Sequence, residues 1–211
     1  PAGSGTPTGA GTSTMNTSES LSSLASSSNF EVYVRADCGM GNFSAWVGPV
    51  NFATLCAPIV APYGAVTGAP GNDFAAFPGT CWEEGDNTPV ASGPNGVNGA
   101  WLTDDFGNDA ASTNGAAARI NIFGTTPTND WLVTPEFDLG ASGNFSAIFD
   151  IAHTQFANSN VATFGADDEV QFLITVDGGL TWTALQTWDS STAVSNTGEN
   201  VVVDLSTYTG I

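Results

Sequence analysis

The sequence predicts an all-β fold, built from short antiparallel strands packed as sandwiches. Three observations carry this. Twenty-five glycines and 11 prolines punctuate the 211 residues every few positions, a rhythm that suits strands joined by turns. No segment holds a sustained 3.6-residue apolar period. Several segments instead alternate apolar and polar residues, and the chain carries 13 Phe and 6 Trp that need a core to bury them. Disorder throughout is thereby excluded.

Residues 1–29 are rich in Gly, Ser and Thr, with Leu21 and Leu24 as the large aliphatics, and read as a linker. From Phe30 to Ala36 the pattern alternates, with Phe30, Val32 and Val34 in phase, which predicts a half-buried strand. Cys38-Gly39-Met40-Gly41 is a turn. Trp46–Thr54 is a second strand, and Pro49 marks it as an edge strand or a bulge. A Pro/Ala-rich connection covers residues 55–70, and a second domain begins near Cys56, giving domains of 1–55 and 56–211. Residues 81–115 read as loop, with turn signals at Asn95-Gly96, Asn98-Gly99 and Asn114-Gly115. Strands are then expected at Ala118–Phe123, Trp131–Leu139, Asn144–His153, Glu169–Val176, Trp182–Trp188 and Asn200–Leu205. Phe145, Ala147, Phe149 and Ile151 share one face, as do Val170, Phe172, Ile174 and Val176.

Charge narrows the function classes. Twenty-one carboxylates face two basic residues, Arg35 and Arg119, for a formal net charge of −19 and no lysine. A nucleic-acid backbone needs a basic footprint, so that partner is excluded. An anionic membrane surface repels such a chain, and no apolar run approaches the ~20 residues that cross a bilayer. An isopeptide cross-link from an internal lysine is chemically impossible. The balance invites hard cations, above all calcium, which takes clustered oxygens. Candidate ligands are Asp104 and Asp105 near Asp109, Asp167 and Asp168 beside Glu169, Asp73 beside Asn72, and Asp130. None has EF-hand spacing, and the competing reading is solvated loop acids.

The three cysteines point to an oxidising compartment. A Cys56–Cys81 disulfide closes a loop of about 25 residues, worth roughly 3 kcal/mol on the chain-entropy model; the alternative is two buried thiols. Cys38 is then free or partnered outside the sequence. The single histidine, His153, lies in phase with Phe149 and Ile151 at a strand end and reads as a rim residue. No G-x-S-x-G elbow and no His/Cys cluster accompany it. No acid pair is singled out for glycoside hydrolysis, so the chain reads as non-catalytic. Trp82, Trp101, Trp131, Trp182 and Trp188 all fall in the second domain. Most suit a core, and Trp101, among Asn-Gly turns, is the candidate for stacking on a sugar.

Several motifs resemble known families. "NFEVYVRADCGMGNFSAWVGPVNFATL" resembles the last two strands of a bacterial fibronectin type III module, and "LSSLASSSNF" the turn that leads into them. Phe30 stands where that turn usually places a tyrosine, keeping the ring and losing the hydroxyl. A full module has about 100 residues, so the resemblance implies missing N-terminal strands and a partner for Cys38 at the module's opening. "CWEEGDN", "NDWLVTPEFDL", "FGADDEVQFLITVDGGLTWTALQTW" and "GENVVVDLSTYTG", in that order, resemble jelly-roll modules related to MAM and cleaved-adhesin domains. That resemblance implies further strands after the last motif, structural calcium near the first strand, and carbohydrate binding. It also implies a large, type IX-exported surface protein. Thr175–Trp182 resembles the Asp-box hairpin, S/T-x-D-x-G-x-T-W, a structural device.

The combined expectation is a non-catalytic extracellular adhesion or binding segment of a multidomain protein. Its partners would be a surface glycan, an extracellular protein, or neighbouring domains or copies. Two other roles compete: a subunit of an extracellular fibre, and an ancillary module of a secreted peptidase or glycanase.

Overall fold

The computed structural model describes residues 3–64, 74–86, 89–95, 99–112, 115–124 and 128–210. Asp73 and Asn72 lie outside the described residues. The chain forms two compact units, Pro1–Ala57 and Pro58–Ile211. It is all-β, with short 3-10 turns at Val90–Ser92, Phe106–Asn108 and Ser206–Tyr208. Among the described residues no helix is long and apolar enough to cross a membrane.

The first unit is one antiparallel pair, β1 (Asn29–Val34) and β2 (Val47–Ala53). Phe30 opposes Phe52, and their rings stack at 5.5 Å. The register slips between Val32 and Val34, opposite Gly48-Pro49, so the proline sits at a bulge, where its missing N–H costs no ladder bond. Gly48 has φ +144°, and a Cβ there would stand 2.6 Å from the Val32 carbonyl oxygen. Only glycine fits. The connecting turn closes through Asp37 Oδ1, which accepts from the Gly39 N–H at 2.8 Å, and through a Cys38 N–H to Asn42 O bond of 2.8 Å. Residues 3–28 form neither strand nor helix, but the segment is tethered. Thr54 Oγ1 donates to Ala25 O at 2.6 Å, and Arg35 Nη2 donates to Ala10 O at 3.1 Å. The Arg35 guanidinium carbon sits 3.9 Å from the Phe43 ring centre and 4.4 Å from that of Trp46, held by the quadrupoles of two rings.

Among its described residues the second unit holds ten strands: β3 (Ile59–Val60), β4 (Glu83–Gly85), β5 (Leu102–Asp105), β6 (Ala116–Arg119), β7 (Trp131–Val133), β8 (Phe137–Asp138), β9 (Ser146–Ile151), β10 (Val170–Ile174), β11 (Thr183–Trp188) and β12 (Glu199–Asp204). They pair β4–β7, β5–β6, β9–β12 and β10–β11 antiparallel, and β3–β8 parallel. The parallel pair departs from the purely antiparallel expectation. So do β4 and β5, which occupy the stretch read as loop. The expected strand Trp131–Leu139 is two strands, because Pro135 lacks the N–H that a continuous ladder needs. The strand expected at Ala118–Phe123 lies earlier, at Ala116–Arg119.

The core lies where the alternating strands meet. Phe164, Trp188 and Val194 are buried, with Ile122, Phe149, Ile151, Val170, Phe172 and Val201 packed against them. Along β9, Ala147, Phe149 and Ile151 point inwards while Ser146, Ile148 and Asp150 face out, as the period of two requires. Phe149 stacks on Phe172 at 5.2 Å and meets Trp188 edge-on at 6.2 Å. On β10 the register slips after Phe172. Val176 falls beyond the strand end and is exposed, off the face it was expected to share. Cys56 and Cys81 are disulfide-bonded, and Cys38 is an exposed free thiol.

Candidate functional site

The acids first show what they do locally. Asp109, Asp138, Asp189 and Asp204 each accept, through Oδ1, the N–H two residues ahead, at Ala111, Gly140, Ser191 and Ser206. Asn121 and Asn158 do the same for Phe123 and Asn160. These are Asx turns, in which a short side chain replaces a turn's backbone acceptor. The hydrogen bond favours the ionised carboxylate, so Asp189 and Asp204 are held below the ordinary range, each chiefly by the side chain of its own turn serine.

The β10–β11 connection is the strongest of these clamps. Asp177 Oδ2 accepts from Thr181 Oγ1 at 2.6 Å, and Oδ1 accepts from the Thr181 N–H and from Thr175 Oγ1, both at 2.9 Å. The Thr181 hydroxyl leads in lowering the Asp177 carboxyl from 3.8 to about 2. Gly178 and Gly179 take φ +70° and +88°, and Trp182 Nε1 donates to Gly179 O at 3.2 Å. The Trp182 indole also meets Trp131 edge-on at 5.1 Å. The geometry is that of a structural hairpin lock.

Two of the expected cation ligands, Asp104 and Asp168, have other employment. Asp104 Oδ2 pairs with Arg119 Nε at 3.0 Å across β5–β6, and its Oδ1 accepts the Asp105 N–H at 2.9 Å. Asp168 Oδ2 accepts the Gly165 N–H at 2.9 Å. A methyl group on Gly165 would stand 2.7 Å from that oxygen and 3.4 Å from Asp167 Oδ1, so both carboxylates crowd one backbone turn. Asp130 is half-buried just before β7, and Asp105 is exposed. No three His, Cys, Asp or Glu side chains converge on a metal-sized point among the described residues.

His153 lies against the core, its ring 4.1 Å from that of Phe164. Burial lowers its pKa, opposed by the negative charge of Asp168. Trp101 is half-buried rather than displayed, and its indole N–H is enclosed with no acceptor.

One feature among the described residues that has the form of a binding site was not singled out from the sequence. A cavity of about 130 Å³ opens between the 3-10 turn at Phe106–Asn108 and the turn before β12. Phe106, Asp109, Ser112, Ser159, Asn196 and Thr197 line it. Two glycines let the turns approach. A Cβ on Gly107 (φ +69°) would stand 2.9 Å from Asn196 O, and one on Gly198 (φ +101°) 2.5 Å from the Phe106 ring. In the sequence these residues sit in "DDFGND" and "VSNTG", which signal turns but not that two turns meet.

The chain matches no protein-family model, no curated protein and no solved structure.

Proposed function

We propose that the chain is a non-catalytic, extracellular adhesion or binding segment of a multidomain surface protein, with a glycan or an extracellular protein as ligand. The observation that carries this is how the acids are used. Carboxylate after carboxylate pins the loop that bears it. Loops fixed on a strand scaffold are the usual bearers of binding function. The Cys56–Cys81 disulfide fits an oxidising, extracellular setting. Fibronectin type III-like and jelly-roll-like modules are the architectures this reading draws on. Calcium is the ion it would admit, at oxygens of Asp105, Asp130 or Asp167 that the turns leave over. The test is binding of the whole chain to arrays of surface glycans and of extracellular proteins. Saturable binding to at least one is expected, and uniform absence of binding would reduce the chain to a spacer. For calcium, melting in excess calcium against excess chelator decides: a higher melting temperature with calcium supports a bound ion, and superimposable melts overturn it.

A second role, subunit of an extracellular fibre, is favoured by the first unit. Among the described residues its sheet has two strands, and Val34, Val47 and Val50 are 61, 67 and 66% exposed. An open hollow lies beside the stacked Phe30 and Phe52. Two-stranded sheets are marginal alone, and an added strand from a neighbouring copy or domain would complete this one. A concentration-independent monomer in size-exclusion chromatography would rule that role out.

A further inference from the structure

Resting on the binding role proposed above, we infer that the cavity beside Phe106 takes one edge of a neutral glycan's sugar ring, two adjacent hydroxyls turned inwards. Its lining sets the chemistry. Asp109 offers a carboxylate, Asn196 an amide, and Ser112, Ser159 and Thr197 hydroxyls, over the apolar wall of Phe106. A vicinal diol is both donor and acceptor, so it satisfies carboxylate, amide and hydroxyls together. Its CH groups meet the phenyl ring. An anion meets Asp109 and a net charge of −19. A wholly apolar ligand displaces water from this polar lining and returns no hydrogen bond, which is costly. Calcium takes six to eight oxygens, several from carboxylates, and this cavity has one carboxylate.

The site is preorganised. Asn108 Nδ2 donates to Thr154 Oγ1 at 2.6 Å, Asn196 Nδ2 to Ser159 O at 2.9 Å, and the His153 N–H to Ser195 O at 3.1 Å. Ser195 Oγ and Thr197 Oγ1 are hydrogen-bonded at 3.0 Å. These bonds tie the two turns to residues 153–159 before any ligand arrives, which lowers the ordering cost of binding. Size sets the mode. A volume of about 130 Å³ holds roughly four waters at about 30 Å³ each, well below the ~300 Å³ at which pockets begin to enclose a small molecule. One sugar edge enters, the rest of the glycan stays outside, and single-site affinity is weak. Repetition of sites then supplies avidity.

The test titrates the whole ¹⁵N-labelled chain with methyl α-D-mannopyranoside, methyl β-D-galactopyranoside and methyl β-D-glucopyranoside, read by amide shifts. Asp109→Asn keeps the oxygen that holds the Ala111 N–H, and Thr197→Val keeps the shape; unchanged distant amides show that each variant is folded. At least one glycoside should shift amides confined to residues 106–112, 159 and 196–198, with affinity lower by about tenfold or more in both variants. The proposal falls if no glycoside shifts these amides, if calcium chloride shifts them instead, or if the variants bind as the wild type does. Glycan binding by the chain that survives both substitutions overturns the cavity and leaves the binding role standing. Failure of every arrayed glycan and protein overturns both.

Discussion

Asp177 shows how one residue carries a hairpin. Its folded carboxyl lies at about 2 against 3.8 in the ordinary state. A carboxyl depressed on folding adds stability above its unfolded value, and that stability is lost as pH falls through the folded value. Hairpin stability should therefore decline between about pH 4 and pH 2. Asp177→Asn should remove much of this acid sensitivity, and melting temperature against pH for both proteins checks it. Glycine matters at the same scale where backbones touch. Gly198→Ala places a methyl group against the Phe106 ring at a positive φ, which should cost on the order of 2 kcal/mol in a urea-unfolding comparison. The hairpin acid and its tryptophan were legible because T-V-D-G-G-L-T-W places every donor and acceptor within eight residues. The cavity was not, since Phe106 and Asn196 are 90 positions apart and only their glycines hint that something passes close.

At the scale of elements, alternation was the dependable guide. β1, β2, β9, β10, β11 and β12 have five to seven residues each, enough for a period of two to stand out. β3, β4, β5 and β8 have two to four. Segments that short display no period, and those at Glu83–Gly85 and Leu102–Asp105 are flanked by Gly and Asn that look like turn. Their strand character comes from partners distant in sequence, as when Gly85 meets Trp131. Two measurements probe what holds the elements. Trp188, 4% exposed at the end of β11, should cost about 3–5 kcal/mol when changed to Ala, seen as a lower urea midpoint. Replacing Cys56 and Cys81 together by Ser should cost roughly 3 kcal/mol through the freed loop of about 25 residues; an unchanged midpoint would mean that the cross-link adds little to folding.

Across the whole molecule, repulsion among 21 acids with two cations works against compactness. Screening reaches a Debye length of about 10 Å at 0.1 M salt. The melting temperature should thus climb as sodium chloride is added from low ionic strength, and a flat curve would mean that the acids are already compensated within the fold. The asymmetry was plain in the composition. Its distribution was not: Asp37, Asp109, Asp138, Asp189 and Asp204 each hold the amide two residues ahead, which that sequence separation permits but does not require.

The same scarcity of cations shapes how the chain meets trypsin-like proteases. A trypsin-like enzyme needs a free arginine or lysine side chain on a pliable backbone, and this chain has two basic residues, both held. Arg35 is wedged between the Phe43 and Trp46 rings and tied to Ala10. Arg119 closes β6 and is paired to Asp104. The native protein should outlast prolonged trypsin digestion, whereas the denatured chain should fall into three fragments cut after these two residues.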